Sequence, residues 1–154
     1  MKPIFLAIAL TSASTIAMAE SHATGDPAAG EKVFNQCKTC HVIEDADGNA
    51  IQKGGKVGPN LYGVVGRTAG SVEGFRYSKY MVAAGEQGLA WDEDHFAVYV
   101  KDASAFLKDY LDDKSARGKM TYRLRDDQDA LDVWAYLASV GPEPDMTDAD
   151  APSN

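Results

Sequence analysis

Cys37-Lys38-Thr39-Cys40-His41 decides the reading of this 154-residue chain. Two cysteines separated by two residues and followed at once by a histidine have the spacing of a covalent c-type haem attachment site. The chemistry accounts for that spacing. Each thiol adds across one vinyl group on the same edge of a porphyrin, so the two must lie one helical turn apart. The adjacent imidazole is then carried under the ring, where it can bind iron. The chain has only these two cysteines, so every competing use must draw on the same sulfurs. A structural zinc site needs about four ligands, and there is no second Cys-x-x-Cys and no His pair at ligand spacing. A thioredoxin-like redox motif belongs in a βαβ pattern, and the sequence holds none.

Working outward, residues 1–19 read as an address rather than as structure. Lys2 supplies a positive start, Ile4 to Leu10 an apolar core, and Ala17-Met18-Ala19 a small-x-small cleavage site before Glu20. The apolar run is too short to span a bilayer, which takes about 20 apolar residues. Export suits the motif, because c-type haem is attached outside the cytoplasmic membrane. The expectation is a periplasmic protein cleaved after Ala19, without a permanent membrane anchor. About 135 residues remain, one domain by the usual size range. Losing Lys2 takes the 15 basic residues to 14 against 23 acidic ones, a formal net charge of −9. Such a balance argues against nucleic-acid binding and against non-specific attraction to an anionic membrane.

The remainder reads as helices joined by long loops, with no convincing alternating strand. Asp26-Pro27 is an N-cap followed by proline at the first helical position, and the first helix is predicted to run into Cys37 with Val33 and Phe34 facing a core. Residues 44–74 hold eight glycines, Gly48, Gly54, Gly55, Gly58, Gly63, Gly66, Gly70 and Gly74, together with Pro59, which predicts turns and close backbone packing, anchored by apolar residues from Val57 to Val65. Ser78 caps a short helix ending near Gly85, and Asp92 caps another that shows Phe96, Tyr99 and Val100 on one face. Phe106, Leu107, Tyr110 and Leu111 repeat helical spacing after Ser104. The clearest amphipathic stretch starts at Asp126 or Asp127 and carries the stripe Ala130, Val133, Trp134, Leu137, Val140. The domain then ends: residues 141–154 hold three prolines and four acids with almost nothing apolar, the composition of a disordered acidic tail.

His41 supplies one axial ligand to the iron, and the identity of the other decides the chemistry. A second histidine or a methionine closes the sixth position, whereas a vacancy permits oxygen or peroxide chemistry. Outside residues 1–19 the candidates are Met81, Met120, Met146, His22 and His95. His22 and Met146 fall in the two terminal stretches. His95 stands in a first helical turn beside Asp92, Glu93 and Asp94, which reads as solvated surface. Met81 lies in an apolar helical stretch and reads as core packing. Met120 lies in the polar stretch Ala116-Arg117-Gly118-Lys119-Met120-Thr121, with no helical face to join, so a metal-held thioether is the better reading. A thioether favours the ferrous state and raises the potential, as suits a one-electron carrier.

With Cys37–His41, Met120 and an apolar last helix in this order, residues 25 to 140 resemble class I cytochrome c, most closely its larger soluble bacterial forms. Gly30 and Phe34 match the first-helix positions of that family, and Val133 and Tyr136 the last-helix positions they pack against. Gly58-Pro59-Asn60-Leu61 matches the loop whose proline carbonyl accepts the proximal imidazole N–H. Gly66-Arg67, Phe75-Arg76-Tyr77 and Trp91 match positions that hold a buried haem propionate, and Tyr99 the tyrosine whose hydroxyl approaches the methionine sulfur. The stretches 44–56 and 103–118 are longer than in the short mitochondrial form. The resemblance implies an all-α fold of about five helices with long Gly-rich loops around one covalent haem c. It implies a soluble carrier, not an enzyme, that shuttles electrons from a cytochrome bc complex to a terminal acceptor such as an oxidase, a photosynthetic reaction centre or a denitrification enzyme. Binding would be transient and the protein monomeric. The competing classes, a peroxidase-like haem enzyme and a gas-binding haem module, both need an open or displaceable sixth position.

Overall fold

The computed structural model describes residues 23–142. The stretch 1–19 expected to direct export, the cleavage expected after Ala19, His22, Met146 and the acidic stretch beyond Pro142 lie outside the described residues. Helix α1 spans Pro27–Phe34, with the Asp26 carboxylate accepting from the Ala28 and Ala29 N–H groups and Pro27 opening the first turn, where a missing N–H costs nothing. It stops three residues before Cys37. The Asn35 side chain donates to Lys32 O, competing for a helix-end carbonyl, and the chain goes on in tight turns (Cys37 N to Phe34 O at 2.8 Å, Cys40 N to Cys37 O at 3.0 Å).

The loop region is less irregular than its glycines predict. Strands β1 (Ile43–Glu44) and β2 (Ala50–Gln52) pair antiparallel with a bulge after Ile43. Asp45 makes the turn between them: its carboxylate accepts from the Asp47 and Asn49 N–H groups at 3.0 and 2.8 Å, and Gly48 sits at φ +84°. Two and three residues are too few for a period-two pattern to declare itself in sequence. Val57 is 79% exposed and stays out of the core, whereas Val64 is buried as expected.

Three helices follow, the first two with the predicted caps. α2 is Lys79–Glu86, capped by Ser78. α3 is Glu93–Lys101, capped by Asp92. α4 is Ala103–Tyr110, and its cap is Asp102, accepting from Ser104 and Ala105, with Ser104 already inside the helix. An aspartate immediately after α3 thus separates two helices that turn directly into one another. α5 is Asp127–Val140, capped by Asp126. It buries more than one stripe, adding Asp132, Ala135 and Tyr136 to the expected face, because α1 and α3 cover two sides of it.

The crossing of α1 and α5 closes the two ends of the chain on each other. A Cβ on Gly30 would lie 1.9 Å from Asp132 O and 2.9 Å from Tyr136 Cβ. Beside this contact the Phe34 and Tyr136 rings stand 5.6 Å apart. Asp132, 6% exposed, accepts from Asp26 N and from Gln128 Nε2, both at 2.8 Å, so the buried acid is satisfied while it ties the start of α1 to α5. Phe96 of α3 packs on Trp134 of α5. Phe106 of α4 meets Trp91 and Tyr99. Gly30→Ala should therefore force the two helices apart and destabilise the protein by about 1–3 kcal/mol, the usual cost of overpacking. Denaturant unfolding measures it, and an unshifted midpoint would contradict the steric argument.

Candidate haem site

The helices do not close on one another completely. They and the loops enclose a cavity of ≈ 890 Å³, at the upper end of the roughly 300–1,000 Å³ common for ligand pockets. Every site residue read from the sequence lines it: Cys37, Cys40, His41, Pro59, Arg67, Tyr77, Trp91, Tyr99 and Met120. Met81 lines it too and is 5% exposed, as core packing requires. His95 is elsewhere and is less exposed than its acidic neighbours suggest: its Nδ1 lies 2.9 Å from Asp92 Oδ2, and its ring stands edge-on to Phe106 and Tyr110.

Backbone hydrogen bonds set the histidine side of the cavity. Gly58 N donates to Cys40 O at 2.8 Å, Gly55 N to Lys38 O at 2.9 Å and Leu61 N to Val42 O at 3.0 Å. Asn60 adds a side-chain clasp, accepting from Glu44 N and Tyr62 N and donating to Glu44 O. These bonds hold the Pro59 carbonyl 2.8 Å from His41 Nδ1. Glycine at 58 is a steric requirement: a Cβ there would stand 2.3 Å from His41 Cε1. Burial holds the His41 pKa below the ordinary imidazole value; the Pro59 carbonyl partly offsets this and the Arg67 charge adds to it. A neutral imidazole that donates Nδ1–H to Pro59 keeps its Nε2 lone pair for a metal.

Burial, and secondarily Cys40, pushes the Cys37 thiol up to about 11. That is the opposite of the lowered value a reactive redox thiolate needs. The two sulfurs form no disulfide with each other. Among the described residues no group of three or more His, Cys, Asp or Glu could hold a metal ion, so a protein-only zinc centre has no ligand set there.

The polar wall is built by the segment 66–69 pairing with 89–91. Gly66 N donates to Trp91 O, Trp91 N to Arg67 O and Ala69 N to Leu89 O. Arg67 then spends two donors on backbone, Nη1 to Tyr62 O at 3.0 Å and Nη2 to Asn60 O at 3.1 Å, which fixes a half-buried cation at the cavity wall. Burial lowers its pKa, with Tyr77 acting in the other direction, but guanidinium remains charged. Burial raises Tyr77, against the pull of Arg67, and takes Tyr99 up to about 12, with Tyr77 adding to the effect. Both phenols stay neutral and able to donate. Trp91 stands edge-on to Tyr99 at 4.9 Å.

The donor set fits a covalent haem. Two thiols a turn apart, an oriented imidazole, a thioether and a cation with neutral donors all face one largely apolar space. Sequence reasoning missed three contributors. Asn60 was legible only as part of a loop motif, Gln36 only as the residue before Cys37, and Tyr122 only as an aromatic after Met120; the last two also line the cavity.

The cytochrome c family model matches residues 27–141, nearly all of the described chain. This chain belongs to the cytochrome c family, and within it to the class I, bacterial soluble type; it carries one covalently attached haem c. It is 55% identical over 122 residues to cytochrome c2 of Cereibacter sphaeroides, spanning 78% of this chain and 98% of that protein. It is 44% identical over 137 residues to cytochrome c-550 of Paracoccus denitrificans, spanning 88% and 87%. The solved structure of cytochrome c2 from Rhodobacter sphaeroides superposes with a TM-score of 0.76 at 55% identity, covering 78% of this chain and 99% of that one. The all-α fold of five helices around a haem cavity follows that family.

Proposed function

We propose that this cytochrome, an electron carrier and not an enzyme, is a periplasmic one-electron shuttle between a cytochrome bc complex and a terminal acceptor, with His41 and Met120 as axial ligands. Cys37 and Cys40 are the attachment points, and Pro59, Arg67, Tyr77, Trp91 and Tyr99 the supporting contacts. The observation that carries this reading is that His41 and Met120, far apart in sequence, line one cavity with both thiols. When bound, the haem supplies a reversible one-electron couple. The protein's part is to keep that couple closed and rigid. Pro59 orients His41, Met120 would hold the metal through its thioether and keep small molecules from it, and Arg67 with the neutral phenols would solvate a buried propionate in place of water.

Two arms test the ligation. Ferric protein should show the weak sulfur-to-iron charge-transfer band, and reduced protein should not bind carbon monoxide promptly at neutral pH. Met120→Ala should abolish the band, admit carbon monoxide and lower the reduction potential by about 0.1 V or more, within the roughly 0.8 V that axial ligands command. A band that survives the substitution excludes Met120. Prompt carbon monoxide binding by the unaltered protein would instead favour the enzyme or gas-binding reading.

Export and docking belong to the same proposal. Among the described residues no helix is long and apolar enough to cross a membrane. Mass spectrometry of periplasmic material should find one haem on a polypeptide beginning at Glu20; bare polypeptide would refute the attachment, and a retained Met1–Ala19 the cleavage. Around the haem loops stand Lys38, Lys53, Lys56, Lys114, Arg117, Lys119, Arg123 and Arg125 on an otherwise acidic chain. Lys56 and Lys119 line the cavity, and Arg123 is paired with Asp102 at 2.7 Å. A basic ring on an acidic body steers a weak, brief encounter with an acidic partner. The rate of electron transfer to such a partner should fall steeply across a salt series, and a flat response would remove steering.

A further inference from the structure

The segment that carries Met120 makes no backbone hydrogen bond between Gly118 and Leu124 among the described residues. At its ends Gly118 N donates to Ser104 Oγ at 3.0 Å and Leu124 N to Val100 O at 2.9 Å. Between them only side chains hold it. Lys119 Nζ donates to Arg76 O at 2.7 Å, Arg123 pairs with Asp102, and the Tyr122 hydroxyl donates to Gln36 Oε1 at 2.5 Å. The first rests on a long flexible stem, and the second is an exposed ion pair of the kind that contributes little. The third is exposed as well, but it joins a rigid ring to the residue directly before Cys37, and both of its partners line the cavity. It therefore bridges the cavity's rim from the tethering segment to the methionine segment.

We propose that the Tyr122–Gln36 hydrogen bond is a strap that positions Met120 and limits how often its thioether swings away. The proposal rests on the reading of Met120 as the axial ligand. A small donor such as imidazole binds the iron only when Met120 has left, so its apparent affinity follows the open fraction. Losing one hydrogen bond of ordinary strength should raise that fraction about three- to tenfold.

Imidazole titration of ferric holoprotein tests this in the unaltered chain, Tyr122→Phe, Gln36→Leu and the double variant, each with a denaturant unfolding curve. Tyr122→Phe keeps the ring and removes only the hydroxyl. Each single substitution should raise imidazole affinity about three- to tenfold, and the double should match the singles, since both delete the same bond. Three results would overturn the strap: unchanged affinity in Tyr122→Phe, additive effects in the double, or lowered global stability with no change in imidazole affinity, which a merely structural contact predicts. Absence of the sulfur-to-iron band in the unaltered ferric protein would overturn the Met120 assignment itself, and so separates the two failures.

Discussion

A carbonyl held 2.8 Å from an imidazole nitrogen organises one whole side of this molecule. For Pro59 O to stay there, the loop carrying it must be fastened to the segment carrying His41, and three residues of that loop are. Gly58, Asn60 and Leu61 bond to backbone between Cys40 and Glu44, and Gly58 has no side chain because the ring occupies that space. Arg67 is fixed by the same loop, since its guanidinium rests on Asn60 O and Tyr62 O. The position of the cation at the cavity wall is thus a consequence of how the histidine is oriented. A hydrogen bond of this type also raises the basicity of a metal-binding imidazole nitrogen.

The other side of the cavity is held differently. Met120 sits in a segment fastened by side chains rather than by backbone. Backbone bonds in a buried loop break only with sizeable local unfolding, whereas exposed side-chain ties break one at a time. The two faces of the cavity therefore differ in how readily they open. A carrier that had to bind substrate would need such looseness next to its iron, and a shuttle needs it suppressed.

Packing far from the cavity sets the frame in which both sides work. The α1–α5 crossing brings residues near the two ends of the domain within backbone contact at Gly30, and the buried Asp132 ties the α1 cap to α5. Cys37 and Cys40 follow α1 by a few residues, so the same crossing places the tethering turn. Aromatic contacts carry the rest of the frame, with Trp91, Tyr99 and Phe106 stacking α3 and α4 beside the cavity.

Features whose physics is confined to one helical turn were determined by the sequence alone. The tethering pentapeptide, the caps Asp26, Ser78, Asp92 and Asp126, and the apolar stripe of α5 each depend on spacings of one to four residues. The start of α4 at Ala103 with Asp102 as its cap, and the end of α1 before Cys37, turned on which neighbouring group wins a backbone partner. Only the tertiary structure decided that Val57 stays out of the core, that a short hairpin interrupts the glycine-rich loop, that His95 packs on Phe106 and Tyr110, and that Tyr122 reaches Gln36. Each of these joins groups brought together by the chain's closure around a cavity. No local spacing encodes a distance between residues that meet only after α1 and α5 have crossed.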